Sequence, residues 1–224
     1  MSSTLITGGL NGIGKEIAIQ IDGKKIITTS QRNKVDERAD IYYLNLKEIE
    51  SIKELAKKLK ENNIEISKIY HCAYDFSDAK LFFSIKSQEL SEKFQSNIVG
   101  TFELLKTFLK PMTRKGQGSV LLLGSLLAKF PAPGKLIYIT EKNALEAMAS
   151  AINSEVNNKG VFVKIIHPGL VATEQVLERI SKDVIDKIGK DNLLNPKDVA
   201  NRCIEFLESN DQESTLQMRG NQTW

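Results

Sequence analysis

Tyr138 and Lys142 stand four residues apart, and Ser125 stands thirteen residues before the tyrosine. Four-residue spacing puts a phenol and an ammonium on one face of a helix. A free phenol has a pKa of about 10, too high to trade protons readily near neutrality. A neighbouring ammonium stabilises the phenolate and brings that value down. A serine hydroxyl beside them can hydrogen-bond an oxygen on which charge develops. Such a trio suits the interconversion of a carbonyl and an alcohol, in which a cofactor carries the hydride and the protein moves the proton. Taken singly, a helix tyrosine or lysine is ordinary surface decoration, and a serine after a strand is an ordinary cap. The trio gains meaning only if something nearby holds a cofactor.

The stretch "TLITGGLNGIGKEIA", residues 4–18, supplies that second half. An apolar run passes through Gly8, Gly12 and Gly14 into a helical pattern. Glycine lets the chain turn sharply and lets a phosphate come close, and a helix N-terminus offers unpaired N–H groups and the positive end of its dipole. Gly8 would make the turn, Gly12 would admit a pyrophosphate, and Gly14 would let the helix pack on the sheet. The spacing G-x-x-x-G-x-G differs from the commoner dinucleotide fingerprint and lacks the Lys-Ser/Thr of a P-loop.

The elements that must position these groups alternate along the chain. Residues 3–7, 25–29, 41–44, 67–72, 119–123 and 161–167 read as short strands rich in Ile, Leu, Val and Thr, as a parallel sheet covered on both faces requires. A weaker seventh strand falls at 214–218. Helices are predicted at 12–21, 47–62, 87–109, 137–158, 174–188 and 196–209. Repeated strand–helix alternation implies right-handed crossovers and an α/β fold with one doubly wound parallel sheet in three layers, α/β/α. There is no repeat, low-complexity tract or Pro/Gly linker, so residues 1–224 are expected to form a single domain. The link from Thr29 to Ile41 is short, with room for little more than one helical turn. Ser125 follows a strand and the glycine turn ends another, so both face the carboxyl edge of the sheet, where such folds bind ligands.

Composition narrows the function classes. With 31 basic and 28 acidic residues, the net charge of +3 predicts neither a nucleic-acid nor a membrane partner. The start, "MSSTLITGG", has no basic or long apolar leader region, and no apolar stretch reaches membrane-spanning length. Cys72 and Cys203 match no metal or redox spacing and read as reduced thiols in a cytoplasmic protein. His71 and His167 follow apolar strands, where packed histidines outnumber ligands; no metal site is expected.

Together these motifs resemble the classical short-chain dehydrogenase/reductase family. The resemblance rests on the T-G-x-x-x-G-I-G of Thr7–Gly14, the serine, and Tyr-x-x-x-Lys, in the family's order. "SNIVG" (96–100) resembles the family's helix asparagine. "HPGLVAT" (167–173) resembles its nicotinamide-lining loop, and "LNLKE" (44–48) its adenine-contacting segment, with Asn45 where Asp is usual. The match runs from Ser2 to Ser209. It implies a Rossmann-type fold and a catalytic set of Asn97, Ser125, Tyr138 and Lys142. Tyr138 would be the acid/base, Asn97 would hold a water linking Lys142 to solvent, and Lys142 would also bind the nicotinamide ribose. It further implies cofactor contacts from Gly8, Asn11, Gly12, Ile13, Gly14, Ser30, Arg32, Asn45, Ala73, Lys142, Pro168, Gly169 and Thr173. No carboxylate ends the second strand, where Ser30 and Gln31 stand, and Arg32 could meet a 2′-phosphate. NADP is therefore expected, with NAD left open.

An apolar carbonyl or alcohol substrate is expected between Leu126, Leu127 and Phe130 on one side and Leu170, Val176 and Ile180 on the other, near Tyr74 and Phe76. Residues 174–194 would form a lid. Apolar residues over a wide arc of the helices at 87–109 and 137–158, including Leu90, Phe94, Ile98, Phe102 and Leu105, imply a homodimer or homotetramer. The sequence departs from the family at "HCAY" (71–74), where N-N-A-G is usual: Ala73 is kept, and Tyr74 replaces a glycine that lies close to the cofactor ribose. It also lacks the glycine-rich C-terminal end of many tetrameric members. Tyr74 and the short link after the second strand favour a rival reading, a non-catalytic dinucleotide-binding protein on the same fold, while the intact Asn97, Ser125, Tyr138 and Lys142 set favours the enzyme more strongly, because a sensor has no need for a proton donor.

Overall fold

The computed structural model describes residues 2–180, 182–189, 192–209 and 213–220 of the chain. Seven strands form one parallel sheet: β1 (Ser2–Thr7), β2 (Lys25–Thr29), β3 (Ile41–Tyr43), β4 (Glu65–His71), β5 (Gly118–Leu123), β6 (Val161–Pro168) and β7 (Thr215–Met218). Their spatial order is β3-β2-β1-β4-β5-β6-β7. The order reverses direction between β1 and β4, which opens a crevice at the carboxyl edge. Strands buried on both faces leave no room for alternating polarity, and five consecutive residues of β1, Ser3 to Thr7, are buried.

Helices cover both faces. On one lie α1 (Gly12–Gln20) and α8 (Pro196–Glu208), which pack on each other and share a core with Ile6, Tyr70, Leu121 and Ile166. On the other lie α2 (Ile49–Glu61), α4 (Gly100–Lys115) and α5 (Leu136–Val156), over a core of Leu5, Ile69, Val120, Val163 and their neighbours. The three-layer α/β/α architecture expected from the strand–helix alternation is therefore present.

Three elements differ from the sequence pattern. The helix predicted at 87–109 runs on to Lys115, where Gly116 ends it in the left-handed conformation (φ 69°). It is interrupted between α3 (Ser87–Phe94) and α4 by one π-helical stretch, Gln95–Val99. Hydrophobic periodicity does not report such a bulge, because one inserted residue leaves the apolar arc on either side intact. The helix predicted at 174–188 is broken into α6 (Glu174–Leu177) and α7 (Lys182–Ile188), with Ser181 outside the described residues. The short link after β2 holds two single 3₁₀ turns, Arg32–Lys34 and Glu37–Ala39, with no α-helix. Asp36 caps the second turn by accepting from the Arg38 N–H at 3.1 Å, and Asp40 at φ 57° turns the chain into β3.

Candidate active site

The carboxyl ends of β1, β2, β4, β5 and β6 open onto one cleft of about 1050 Å³. Its floor at β1 is the glycine turn. Gly8 (φ 65°) and Gly12 (φ 53°) both adopt the left-handed conformation that favours glycine. A Cβ on Gly8 would lie 3.0 Å from backbone atoms of Ala73, and one on Gly14 would lie 2.6 Å from the Gly8 carbonyl oxygen. Asn11 caps α1 with no side-chain hydrogen bond, leaving the first N–H groups of the helix facing the cleft without a side-chain partner. A cradle with no space for side chains, set at a helix N-terminus, fits a pyrophosphate.

Of the seventeen positions named above for catalysis or cofactor binding, counting Lys142 twice, the cleft wall includes all but two residues. Gly8, Asn11, Gly12, Ile13, Gly14, Ser30, Asn45, Ala73, Ser125, Tyr138, Lys142, Pro168, Gly169 and Thr173 line it, as do the expected apolar residues from Leu126 to Ile180. Arg32 and Asn97 do not. The Arg32 guanidinium stacks 3.9 Å from the centroid of the Tyr43 ring and lies 3.4 Å from a Glu48 oxygen, beside a separate shallow groove. An aromatic face and a carboxylate together hold it there. Asn97 is buried in the π-helical stretch, and its side chain is fully used. Its Oδ1 accepts from the Asp75 N–H at 2.8 Å, and its Nδ2 donates to the Asp75 carbonyl and to Glu141 Oε1, each at 3.0 Å. The backbone carbonyl of Asn97 accepts from the Thr101 hydroxyl at 2.7 Å.

Ser125 leaves β5 in extended conformation and caps the turn Leu126–Ala128, its Oγ accepting from the Leu127 N–H at 3.2 Å. Its hydroxyl also acts on the Tyr138 phenol, pulling the phenol's pKa down against the effect of burial. Lys142 is buried and donates from Nζ to the Leu123 carbonyl at 2.8 Å. Burial lowers its pKa to about 8, against the opposing pull of Glu141. The lowering of the Tyr138 pKa expected from Lys142 is not what the structure has. Burial raises the phenol, Ser125 partly offsets this, and Glu141 adds to the rise. The physical reason is geometric: Lys142 Nζ is 5.6 Å from the Tyr138 ring centroid but 4.1 Å from that of Tyr74. A protonated phenol beside a serine hydroxyl is equipped to donate a proton to an oxygen.

Three features were not anticipated from the residues. Glu141 lies on α5 between Tyr138 and Lys142, fully buried, and accepts from the Tyr74 hydroxyl and from Asn97. Its place inside the Tyr-x-x-x-Lys segment was visible, but nothing in sequence tells a buried carboxylate from a solvated one. His71 joins the glycine turn to the π-helical stretch. Its Nδ1 and the Thr7 hydroxyl are 2.8 Å apart, and its Nε2 and the Thr101 hydroxyl 2.9 Å. Thr101 donates onward to Asn97, and Thr7 accepts from the Cys72 and Ala73 N–H groups at 3.1 Å. Those roles leave Thr7 donating to Nδ1 and Nε2–H donating to Thr101, the neutral tautomer, and burial lowers the His71 pKa to about 3. His167 lies buried directly under Ser125, its Nδ1 3.2 Å from the Ser125 N–H. Neither histidine belongs to a cluster of metal-ligating residues among the described residues. No described helix is long and apolar enough to cross a membrane.

Known proteins resemble the chain over most of its length. The family model for short chain dehydrogenases matches residues 2–183. The chain is 26% identical over 220 residues to the 3-oxoacyl-acyl-carrier-protein reductase FabG of Haemophilus influenzae, covering 92% of this chain and 90% of that one. It is 30% identical over 181 residues to FabG of Buchnera aphidicola, covering 76% and 74%. Among solved structures, ElxO with NADP bound superposes with a TM-score of 0.84 at 24% identity, covering 97% of this chain and 96% of that one.

Proposed function

The chain belongs to the short-chain dehydrogenase family of oxidoreductases, and on that premise we propose that it is an NADP(H)-dependent reductase or dehydrogenase acting on a small, largely apolar carbonyl or secondary alcohol. One observation carries this reading: the glycine cradle and the Ser125, Tyr138 and Lys142 side chains line the same cleft, whose far wall is apolar. When bound, the nicotinamide supplies or accepts the hydride. Gly8, Gly12, Gly14 and the α1 N-terminus would hold the pyrophosphate. Lys142 would take the ribose hydroxyls. Ser125 would orient the substrate oxygen, and Tyr138 would give or take its proton. Lys142 keeps its positive charge below its pKa of about 8.

The NADP preference is supported by what stands at the end of β2. Ser30 and Gln31 line the cleft there, with no carboxylate to repel a 2′-phosphate. Arg32 can serve a phosphate only by leaving Tyr43 and Glu48. Its side chain is 73% exposed, and exposed ion pairs contribute at most about 1 kcal/mol. A hydrogen bond to a charged group contributes about 1.5–3 kcal/mol, so the exchange favours the phosphate. What is left, about 0.5–2 kcal/mol, corresponds to roughly two- to thirtyfold discrimination. Apolar Val99, Phe102 and Leu136, exposed on the α3–α4–α5 side, support a homodimer or tetramer. The unpaired thiols Cys72 and Cys203 support a cytoplasmic location.

Fluorescence titration with NADPH and NADH, followed by NADPH oxidation across a panel of apolar ketones, tests the reading. NADPH should bind more tightly, and Arg32→Ala should close most of the gap. Tight NADPH binding without turnover of any carbonyl would favour the non-catalytic alternative. Binding of neither nucleotide would overturn the proposal.

A further inference from the structure

We propose that Glu141 is the buried counter-ion of Lys142, and that Tyr74 couples the two. In this role Glu141 is a positioning residue for the Tyr138–Lys142 pair. The inference rests on the reading that these two residues serve a reductase.

Among the described residues Glu141 is the one fully buried carboxylate, and it is the immediate chain neighbour of a buried lysine. An isolated buried carboxylate takes up a proton, and an isolated buried ammonium loses one. Held on the same Tyr74 side chain, each offsets part of the other's burial cost. Both Glu141 oxygens have donors suited to the ionised form: Oε2 accepts from the Tyr74 hydroxyl and Oε1 from Asn97 Nδ2.

The same Tyr74 places the face of its ring 4.1 Å from Lys142 Nζ, a cation–π contact, and meets the Tyr138 ring edge-on at 5.4 Å. Tyr74 thus touches all three members of the group. Its hydroxyl fastens the carboxylate, its face covers the ammonium, and its edge supports the phenol. This gives a physical sense to a tyrosine where the family resemblance leads one to expect a glycine. The buried acid and the ring are two halves of one device.

Among the described residues no other acid is placed to do this. Asp75 turns outward to ion pairs with Lys47 at 2.9 Å and Lys93 at 2.8 Å. Cys72, at the end of β4, is held neutral by burial, which raises its pKa to about 12. His71 and His167 also face Lys142, and burial keeps both neutral near pH 7. Burial raises the Glu141 pKa, and Tyr74, Asn97, Lys142 and Lys93 each pull it back towards the ionised form. Lys142 titrates near pH 8 with Glu141 in place, so removing that charge should bring its titration lower still.

The test reads Lys142 directly. Protein labelled with ¹³C at lysine Cε is titrated by NMR in the absence of nucleotide, and the Lys142 signal is assigned by its loss in Lys142→Arg. Glu141→Gln keeps the shape and one acceptor oxygen, which can hold Asn97, while the Tyr74 hydroxyl can turn to accept from the new amide; only the charge is lost outright. Its Lys142 titration should fall by about one pH unit or more. The alkaline limb of kcat for ketone reduction should move down with it. A folded Glu141→Gln protein whose Lys142 titrates as in wild type overturns the proposal.

Tyr74→Phe tests the coupling and serves if Glu141→Gln does not fold. It keeps the ring but removes a donor from the ionised carboxylate, so Glu141 should become a weaker acid. Its protonation should then appear as a new acid-side step in the Lys142 signal; no step would refute the coupling. Because the NMR readout needs no turnover, a shifted Lys142 in a protein that reduces nothing would keep the charge coupling and reject the functional reading. Turnover with an unmoved Lys142 would do the reverse.

Discussion

Replacing Gly14 with alanine adds one methyl group at the tightest point of the glycine turn. The new Cβ would sit 2.6 Å from the Gly8 carbonyl oxygen, 3.1 Å from the Gly8 carbonyl carbon and 3.2 Å from Cys72 Cβ. Ordinary contact begins at 3.4 Å, so 3.4 − 2.6 = 0.8 Å of separation must be made between α1 and the turn. The obstructing atoms are backbone, and Gly8 is itself packed to within 3.0 Å of the Ala73 backbone, so the turn cannot simply retreat. Overpacking of this kind costs about 1–3 kcal/mol. For a chain of this size that is a fall in Tm of roughly 2–12 °C. Gly12→Ala is the control. At φ 53° its cost is mainly left-handed backbone strain, about 1–2 kcal/mol, and its Cβ meets only the Thr173 methyl at 3.3 Å. Both variants should still fold. Gly14→Ala should weaken NADPH by moving the α1 N–H groups, and Gly12→Ala by putting a methyl in the cradle. Thermal unfolding by circular dichroism and an NADPH fluorescence titration read the two effects. A Gly14→Ala protein with wild-type Tm and wild-type NADPH affinity would refute the close packing of α1 on the turn and the cradle built from it.

Tyr138→Phe should reduce turnover by about 10²–10⁴-fold, the usual contribution of a general acid, while NADPH affinity stays near wild type; single-turnover kinetics and a binding titration would separate the two, and retained turnover would remove the phenol from the mechanism. Stability should decline as pH falls from 6.5 towards 3, because unfolded His71 takes a proton near 6.5 that the buried ring refuses until about 3. Above pH 6.5 this contribution is fully present. Over the first one and a half units below it, about 2 kcal/mol should be lost. Urea midpoints of wild type and of non-titrating His71→Asn should diverge less at pH 5 than at pH 7, and parallel curves would show that His71 does not resist protonation.

Local chemistry carried most of the fold. Strand-length runs of Ile, Leu and Val between amphipathic stretches are what a two-sided parallel sheet needs, and those runs became β1 to β6 within two residues at their ends. The glycine turn was legible for the same reason: the residues that can take φ 65° at Gly8 and φ 53° at Gly12 without penalty are few. The four-residue step from Tyr138 to Lys142 needed only a continuous helix, and α5 provides it. Less was legible where the chain is irregular. The π-helical stretch around Asn97 and the break between α6 and α7 leave hydrophobic periodicity nearly unchanged, yet they decide where side chains point.

What the sequence determined by itself was the kind of site: a phosphate cradle, a phenol and an ammonium brought to one sheet edge by the order of strands and helices. Those are properties of residue type and spacing, and they survive any detail of packing. What only the tertiary structure decided was the electrostatic condition of that site. Burial raises the Tyr138 phenol instead of letting Lys142 lower it and leaves a carboxylate where a spacing rule sees only another helix residue, while folding brings Arg32 to Tyr43 and Glu48 and spends Asn97 on Asp75 and Glu141. Charge states depend on distance and solvent access between groups far apart in the chain, such as Tyr74 and Glu141, and those quantities exist only once the chain has folded.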